Sequence, residues 1–386
     1  MSISKHFFIA ATLLASALLF LLPGCTDAPD VHEKHVEDQK IRLITLNPGH
    51  FHAALIQRDP LPDVHPEVHI YAPEGPDLEL HLERIERFNT RTELPASWES
   101  IVYTGDDYLQ EMLHQRAGDV VVTAGNNALK TDYILASVKS GMHVLSDKPM
   151  AINREEWKKL ARAFERADEN DVLLYDIMTE RSELASRLLR ALSADEKLFG
   201  SIPVGTPDEP ALQLESVHHL FKYVSGAPLR RPTWYFDVHS QGEGIVDVTT
   251  HLVDLSMWLL FPDQALYVDD AELVSARRSP TMVTSDQFSR ITSEPDFPEF
   301  LSDQLNEEGV LPLYCNGNIT YRLNGHHVHV SVIWDYEAPE GGDDTHHTTF
   351  RGSQSTLFIR QGPDQDFIST VYIRPNNTIP AEEFEL

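Results

Sequence analysis

The sequence predicts an α/β protein in which a doubly wound parallel sheet is followed by an α+β domain with a largely antiparallel, open sheet. Over the first half of the chain apolar strands alternate with helical segments, which is typical of a parallel sheet covered by helices. Beyond residue 192 the hydrophobic pattern changes to period 2, as in antiparallel strands with one buried face. The 386 residues, 41% of them hydrophobic, suffice for two such domains.

The N-terminal domain is predicted to span residues 40–180, and most of its strands end at Gly, Pro or Asn residues, which punctuate secondary structure. The predicted strands are residues 41–46, 68–71, 101–103, 119–123, 142–145 and 172–175. The predicted helices are residues 51–57, 77–87, 108–115, 133–140 and 155–170. This alternation favours a doubly wound arrangement.

The C-terminal domain is predicted to span residues 181–386, beginning with a connecting helix over 182–192. A helix over 247–260 is expected to pack against its sheet, and residues 284–309 are expected to form a surface excursion. Aromatic residues in this half, among them Trp234, Tyr235 and Trp334, are expected in the core. The predicted strands are residues 212–217, 233–238, 271–276, 318–323, 328–334, 356–360 and 370–373.

The composition is strongly acidic, with 31 Lys and Arg residues against 60 Asp and Glu residues and a formal net charge of -29. Such a surface repels nucleic acid and anionic lipid, because both carry dense negative charge. We therefore expect no nucleic-acid partner, and a small-molecule substrate instead.

The N-terminus predicts a targeting segment rather than part of the fold. Residues 7–22 are apolar, and Leu22-Pro23-Gly24 then precedes Cys25, as in a bacterial lipoprotein signal. We expect residues 1–25 to be the signal, with Cys25 as the lipidated residue, and residues 26–39 to be a tether at the cell envelope. A transmembrane anchor is the alternative, but the apolar run is short for a bilayer. Since the chain has 2 Cys residues, a disulfide framework is excluded.

Two motifs carry the candidate chemistry. Asp247 and His251 follow a glycine turn at Gly242-Glu243-Gly244 and are one helical turn apart, so both side chains share a helix face. Lys148 follows an apolar strand and precedes Pro149. A lysine, an aspartate and a histidine together suit chemistry at a carbon that bears a hydroxyl or carbonyl. In the alternative interpretation Asp247 caps the helix and His251 is an ordinary packed histidine.

With these motifs the chain resembles the Gfo/Idh/MocA oxidoreductases. Residues 48–54 and 338–346 resemble a lipoprotein branch of that family with a "putative oxidoreductase" C-terminal domain. Asp147-Lys148-Pro149 stands where that family has Glu-Lys-Pro, and Asp247-x-x-x-His251 follows its Gly-x-Gly. The resemblance implies an N-terminal Rossmann domain that binds NAD or NADP, and a sugar or sugar derivative as substrate. It also implies that Lys148 lies near the nicotinamide, while His251, oriented by Asp247, acts on the substrate hydroxyl.

The predicted cofactor loop departs from the Gly-x-Gly-x-x-Gly pattern of dinucleotide-binding folds. Asn47, Gly49 and His52 occupy the three glycine places. Glu74, after the second strand, is a candidate for the ribose hydroxyls, and Asn126 and Asn127 end a strand where such sheets bind ligands. The predicted cofactor-binding set is Asn47, Gly49, His50, Phe51, His52, Glu74, Asn126, Asn127 and Lys148.

Three functional hypotheses follow. The first is an NAD(P)-dependent oxidoreductase acting on a sugar carbon. The second is a lyase or hydratase for keto-sugars that uses a divalent metal, with Glu215, His218 and His251 as candidate ligands. The third is a catalytically silent glycan-binding lipoprotein. By family analogy, the C-terminal sheet, where His327 and His329 alternate with valines, is also a candidate surface for a homo-oligomer.

Overall fold

A computed structural model describes residues 40–224 and 227–376 of the chain. The predicted signal, the tether and Cys25 lie outside the described residues. Within the described part, no helix combines the length and the apolar character needed to cross a membrane. Residues 41–376 belong to one compact unit that contains both sheets.

The N-terminal sheet has six parallel strands in the order β3-β2-β1-β4-β5-β6, which confirms the predicted doubly wound arrangement. Its central strand β1 is buried along its whole length, because helices cover both faces of the sheet. The strand order reverses between β1 and β4, and ligands of such sheets bind at that switch point. The strands are β1 Leu43–Leu46, β2 Glu67–Ala72, β3 Glu99–Thr104, β4 Val120–Thr123, β5 His143–Ser146 and β6 Leu174–Asp176.

Helices connect these strands, and those after β1 and β4 differ in length from the prediction. The helix after β1 is one turn long, His52–Leu55, where the sequence predicted a helix over residues 51–57. The helix after β4 begins earlier than predicted, because the Asn126 side chain accepts a hydrogen bond from the amide of Ala128 and caps it. The helices are α1 His52–Leu55, α2 Pro76–Thr90, α3 Tyr108–Gln115, α4 Asn127–Lys139 and α5 Arg154–Glu169.

The C-terminal sheet has seven strands in the order β10-β11-β12-β7-β13-β14-β15. Strands β12 and β7 pair in parallel and the other pairs are antiparallel, so the prediction of a largely antiparallel sheet is confirmed. A short ribbon of β8 Tyr223–Val224 and β9 Ala227–Pro228 lies beside it in the chain. The sheet strands are β7 Leu212–Phe221, β10 Ala271–Val283, β11 Leu311–Leu323, β12 His326–Glu337, β13 Thr345–Arg351, β14 Ser355–Gln361 and β15 Thr370–Pro375.

Helices of this half place the second group of site residues. The connecting helix α6 Leu184–Ser193 lies close to its predicted position. After the short α7 Val238–Gln241, the long helix α8 Val246–Leu260 packs on β7, β11 and β12. Leu252, Leu255 and Leu259 of α8 belong to the main hydrophobic core. The predicted excursion contains α9 Ser285–Thr292 and a 3-10 helix, Glu299–Gln304.

The predicted strand over residues 233–238 is wrong. That segment forms a 3-10 helix, Thr233–Phe236, followed directly by α7, whose N-cap is Asp237. Tyr235 and Phe236 are buried in the main core, so tertiary packing of the aromatic rings overrides the local period-2 pattern. This turn matters for function, because it carries Tyr235 to the end of α8.

Candidate active site

The site is organised around a buried ion pair that joins the two sheets. Lys148 follows the end of β5, and its ammonium pairs with the carboxylate of Asp247 in the first turn of α8. Their side chains are 5% and 9% exposed. The other oxygen of Asp247 accepts a hydrogen bond from the hydroxyl of Tyr235 at 3.0 Å. The structure thus brings together two of the three residues that the sequence analysis selected as catalytic.

Lys148 and Asp247 each shift the pKa of the other toward the charged form. Burial acts to raise the pKa of Asp247, but the charge and hydrogen bond of the Lys148 ammonium, together with His50 and Arg231, hold that pKa well below its usual range. Burial acts to lower the pKa of Lys148, and the carboxylates of Asp247 and Asp147 raise it above its ordinary value instead. Both groups are therefore charged at neutral pH, in a place from which water is largely excluded.

His251, one turn along α8 from Asp247, is 8% exposed. The expectation that Asp247 orients it is wrong, because both carboxylate oxygens of Asp247 are engaged by Lys148 and Tyr235. Among the described residues, nothing donates to or accepts from the buried Nδ1 of His251. Burial lowers the pKa of His251 to about 3, and the nearby Lys148 ammonium acts in the same direction. The imidazole is therefore neutral at physiological pH.

Asp147 holds two imidazoles that the sequence analysis had assigned to the cofactor loop. Its carboxylate bonds to Nδ1 of His50 at 2.7 Å and to Nδ1 of His52 at 2.9 Å. Burial lowers the pKa of His50 to about 4, although the Asp147 charge acts against this shift. Burial acts to raise the pKa of the Asp147 carboxyl, but the charge interactions and hydrogen bonds with His50 and His52 keep that pKa well below the usual range. His52 in turn lies next to His251, with ring centroids 6.3 Å apart.

Lys130 is a site residue that the sequence analysis missed. Its ammonium is almost fully buried and donates to the carbonyl oxygens of Asp147 at 3.1 Å and Pro149 at 3.2 Å. It also donates to the side-chain oxygen of Asn127, whose amide group donates to Gln241 in the C-terminal half. Asn127 is thereby engaged within the protein rather than with a ligand. Burial lowers the pKa of Lys130 to about 8. A buried lysine in a helix gives no sequence signal.

Glu180, in the 3-10 helix Glu180–Ser182 after β6, was also missed. Burial raises the pKa of its carboxyl, and the imidazoles of His218 and His52 lie near enough to oppose that shift. The neighbouring Arg181 binds both oxygens of Asp254 on α8, which fixes the segment against the C-terminal half. Glu180 is thus a largely buried carboxyl, with a raised pKa, near the imidazoles of His52 and His218.

The loop after β1 offers a dinucleotide fewer phosphate donors than a glycine loop does. The amides of Gly49 and His50 both donate to the carbonyl of Ala124, at 2.9 and 3.0 Å. No protein acceptor, within residues 40–224 and 227–376, binds the amides of Phe51 and His52. Two amides rather than a full cradle thus face the place where a pyrophosphate sits in this fold.

The side of Gly49 is covered by the C-terminal half. A Cβ at Gly49 would lie 3.0 Å from both Trp234 and the Asp77 carboxylate, and the Trp234 indole donates to that carboxylate at 2.7 Å. The two loops at this edge of the sheet nevertheless approach each other closely at Gly125, where a Cβ would lie 2.5 Å from the carbonyl oxygen of Asn47. Asn47 adopts a positive φ of 45°, as its glycine-like place in the loop requires.

A cleft of about 170 Å³ opens beside this loop, at the carboxyl ends of β1 and β2. Asn47, Glu74 and Trp234 are among its lining residues, and the Glu74 carboxylate is exposed, as a ribose-binding acid must be. At the other end of the same sheet edge lies Lys148. Glu74 therefore fits the ribose end of a dinucleotide and Lys148 fits the nicotinamide end. The amides of Phe51 and His52 lie in the loop between these two ends.

The structure does not bring together the alternative metal ligands. Glu215, His218 and His251 do not form a group whose ligand atoms lie within 4.8 Å of one another. His218 is engaged elsewhere: Nδ1 bonds to Asp344 at 2.9 Å and Nε2 to the hydroxyl of Ser216 at 2.7 Å. The prediction that Glu215, His218 and His251 bind one metal ion is therefore wrong.

Two family models match the chain. The one described as "Putative oxidoreductase C terminal domain" matches residues 188–385, just over half of the chain. The one described as "Oxidoreductase family, NAD-binding Rossmann fold" matches residues 78–174. The chain belongs to the Gfo/Idh/MocA oxidoreductase family. The resemblance drawn from the sequence is confirmed, and with it an oxidoreductase-family architecture with an NAD-binding Rossmann domain.

Individual relatives agree with this membership. A crystal structure of a "putative oxidoreductase" from Parabacteroides merdae is 47% identical, with a TM-score of 0.84, and the match covers 89% of this chain and 79% of that chain. A 1,5-anhydro-D-fructose reductase from Ensifer adhaerens is 27% identical over 157 residues, which is 41% of this chain and 42% of that relative. A levoglucosan dehydrogenase, solved with NADH and L-sorbose, shares the fold at 15% identity, with a TM-score of 0.56 over 87% of this chain and 80% of that chain.

Proposed function

We propose that the protein is an NAD(P)-dependent oxidoreductase acting on a sugar or sugar derivative, with Lys148, Asp247 and His251 around the reacting carbon. The observation that carries this proposal is the convergence of these residues from two domains. Lys148 follows a strand of the NAD-binding sheet, while Asp247 and His251 come from α8 of the other domain. The sugar-reductase relative supports the substrate class.

Lys148 acts on the substrate oxygen. Its ammonium remains charged because Asp247 faces it, and a buried cation beside a carbinol lowers the pKa of the hydroxyl proton. Tyr235 fixes Asp247 from the other side, so the ammonium is held in one place. A nicotinamide bound at this edge of the sheet would accept or supply the hydride.

His251 accepts the substrate proton. Its neutral imidazole carries an Nδ1 for which residues 40–224 and 227–376 provide no partner, and an unsatisfied buried polar atom costs about 1–3 kcal/mol. A substrate hydroxyl placed against that nitrogen recovers this free energy and is positioned for proton transfer. Because the imidazole stays neutral above about pH 3, we expect activity to persist well below the ordinary histidine pKa.

The test starts with the purified full-length protein. One sample is denatured to release any bound nucleotide, which is identified by absorbance and fluorescence. A second, native sample is titrated with NADH and NADPH. Sugars are then screened for substrate-dependent change in nicotinamide absorbance. Lys148→Met is expected to lose at least about 100-fold in kcat while still binding nucleotide, whereas the exposed-lysine control Lys139→Met keeps both properties.

Two results would refute the proposal. A wild-type protein that neither carries nor binds NAD(H) or NADP(H) rules out the nicotinamide chemistry. Sugar affinity that survives Lys148→Ala and His251→Ala, with no turnover of any sugar, identifies a glycan-binding protein instead.

We further propose that the protein is held at the cell envelope through Cys25 and that it associates through the C-terminal sheet. The lipoprotein-like segment that ends at Cys25 supports the first proposal. If it is correct, Cys25→Ala moves the protein from the membrane fraction to the soluble fraction. Light scattering of the purified protein tests the second.

A further inference from the structure

The group of His50, His52 and Asp147 has the composition of a metal site. In the part of the chain that the structure describes, these are the residues whose imidazole nitrogens and carboxylate oxygen all lie within 4.8 Å of one another. Asp147 is 2% exposed and His52 is 6% exposed, so the group lies in the interior. We infer that His50, His52 and Asp147 bind a divalent transition-metal ion of the Zn²⁺ type.

The distances suit such an ion. Two ligand atoms bound tetrahedrally at about 2.1 Å from one zinc ion are about 3.4 Å apart. One oxygen of Asp147 lies 2.7 Å from Nδ1 of His50, and the other oxygen lies 2.9 Å from Nδ1 of His52. Each imidazole–carboxylate pair therefore needs to open by less than an ångström for an ion to replace the proton now shared within it.

The carboxylate is also held as metal ligands usually are. The amide of Lys148 donates to an Asp147 carboxylate oxygen at 2.9 Å, while the backbone amide of Asp147 donates to the carbonyl of Thr123 at 2.8 Å and holds the main chain. Such second contacts orient a ligand and raise its affinity for metal. The ammonium of Lys148 makes its ion pair with Asp247. Among the described residues no lysine pairs directly with the Asp147 carboxylate, which feels the charges of Lys148 and Lys130 at longer range.

His251 is a separate observation that points to a ligand at the same place. It is more than nine-tenths buried, its Nδ1 has no partner among the described residues, and its ring lies 6.3 Å from that of His52. Rings that ligate one tetrahedral ion have centroids about 5 Å apart. The His50 and His52 rings, at 4.4 Å, are close to that value, and His251 is farther. His251 is thus placed to hydrogen-bond a water or substrate oxygen on the ion.

Chemistry favours a transition metal over magnesium or calcium. Two imidazoles and one carboxylate suit Zn²⁺, Fe²⁺ or Co²⁺, whereas Mg²⁺ and Ca²⁺ prefer oxygen ligands. This inference does not rest on the proposed nicotinamide chemistry, since an ion can bind at this group whether or not a nucleotide binds beside it.

The chain contains a matched control in His218, His219 and Asp344. There, too, one carboxylate bonds to two imidazoles, at 2.9 and 3.0 Å. However, the ammonium of Lys222 pairs with the same carboxylate, and Ser216 occupies the other nitrogen of His218. Charge neutralisation by Lys222 makes this second group a poor cation site.

The experiment uses the full-length protein, analysed for metal as purified, treated with chelator and titrated with Co²⁺ alone. We expect one Co²⁺ per chain, with visible absorption bands typical of a low-symmetry nitrogen and oxygen site, and competition by Zn²⁺. Asp147→Asn and His52→Ala are expected to weaken binding by at least about 10-fold, while His219→Ala leaves it unchanged. Because His52 and Asp147 are buried, His50→Gln, at the more exposed ligand, is the second variant, and circular dichroism checks that each is folded.

Absence of Co²⁺ and Zn²⁺ binding to the chelator-treated wild type would overturn the inference. So would equal affinity in wild type, Asp147→Asn and His50→Gln, or a loss of affinity in His219→Ala as large as in those variants. Nucleotide binding is measured on the same samples, so that failure of the metal site and failure of the proposed function remain distinguishable.

Discussion

The buried pair of Lys148 and Asp247 makes a quantitative prediction about stability. Removing one partner of a buried ion pair leaves an uncompensated charge, which costs about 3–5 kcal/mol. Both side chains are at most 9% exposed, so this range applies. Lys148→Met should therefore destabilise the protein by about 3–5 kcal/mol, because Asp247 then keeps only its hydrogen bond from Tyr235.

The double variant should be less destabilised than the two single variants together. Lys148→Met with Asp247→Leu replaces the pair by apolar side chains, and such replacements are commonly neutral or stabilising. The buried Tyr235 hydroxyl then loses its acceptor at a cost of about 1–3 kcal/mol. With about 3–5 kcal/mol for each single variant, the coupling energy is at least about 3 kcal/mol. Urea unfolding of all four proteins, followed by tryptophan fluorescence and circular dichroism, measures it, provided that the two probes give coincident transitions.

An exposed pair on α5 provides the control. Lys158 and Glu155 are 55% and 81% exposed, and their N–O distance is 2.8 Å. The same double-variant cycle on this pair should give about 0.5 kcal/mol or less. A coupling energy for Lys148 and Asp247 as small as that of the exposed pair would refute the argument from burial.

The pH dependence of the coupling energy follows from the pKa values. Burial opposes the charge of both groups, but their mutual attraction prevails, so the pKa of Asp247 is lowered and that of Lys148 is raised. The lowered carboxyl pKa contributes stability that is present above about pH 4 and lost as the pH falls further. The raised lysine pKa contributes stability that is present below about pH 10.5 and lost above it. The coupling should be constant between about pH 5 and about pH 9.

Three further predictions concern other parts of the fold. His81 is buried, neither ring nitrogen has a partner among the described residues, and burial lowers its pKa to about 4. His81→Leu should stabilise by about 1–3 kcal/mol, and urea unfolding should show the gain widening as the pH falls from about 6.5 to about 4, where the unfolded chain binds more protons. Gly125→Ala places Cβ 2.5 Å from a backbone oxygen and should cost about 1–3 kcal/mol in urea unfolding, whereas Gly362→Ala, with neighbours at 3.8 Å, should be nearly neutral. Cys315 is buried, which raises its thiol pKa, so in a Cys25→Ala background a thiol reagent should label the chain only on unfolding, and labelling of that variant in its native state would contradict this.

The N-terminal fold was predictable because each of its buried strands is a run of apolar residues that can be recognised from the local sequence. Buried strands such as β1 and β4 read as continuous apolar runs between glycine and proline turns. The C-terminal sheet was less predictable, since β13, Thr345–Arg351, is rich in threonine and histidine and carries no apolar alternation. It is placed by hydrogen bonding between β7 and β14, which a local pattern does not contain.

The residue types of the site were predictable, but the contacts between their side chains were not. Helical spacing places Asp247 and His251 on one face, but it says nothing of what Lys148 contributes from another domain. Lys130 and Glu180 gave no signal, because a charged residue in a helix or turn is usually exposed. The segment of Tyr235 was interpreted as a strand, which concealed that its hydroxyl reaches Asp247.

The hydrogen bonds of Asp247 explain why His251 has no partner among the described residues. A charge-assisted hydrogen bond is roughly twice as strong as a neutral one, so the carboxylate binds the ammonium of Lys148 rather than a neutral imidazole. His251 is thereby left with a buried nitrogen that no described residue satisfies. The unfavourable free energy of that nitrogen, about 1–3 kcal/mol, is recovered only by a ligand that brings a hydrogen-bonding group. The ion pair therefore does more than join the two domains, because it leaves His251 free for a substrate hydroxyl or for a water on a metal ion at His50, His52 and Asp147.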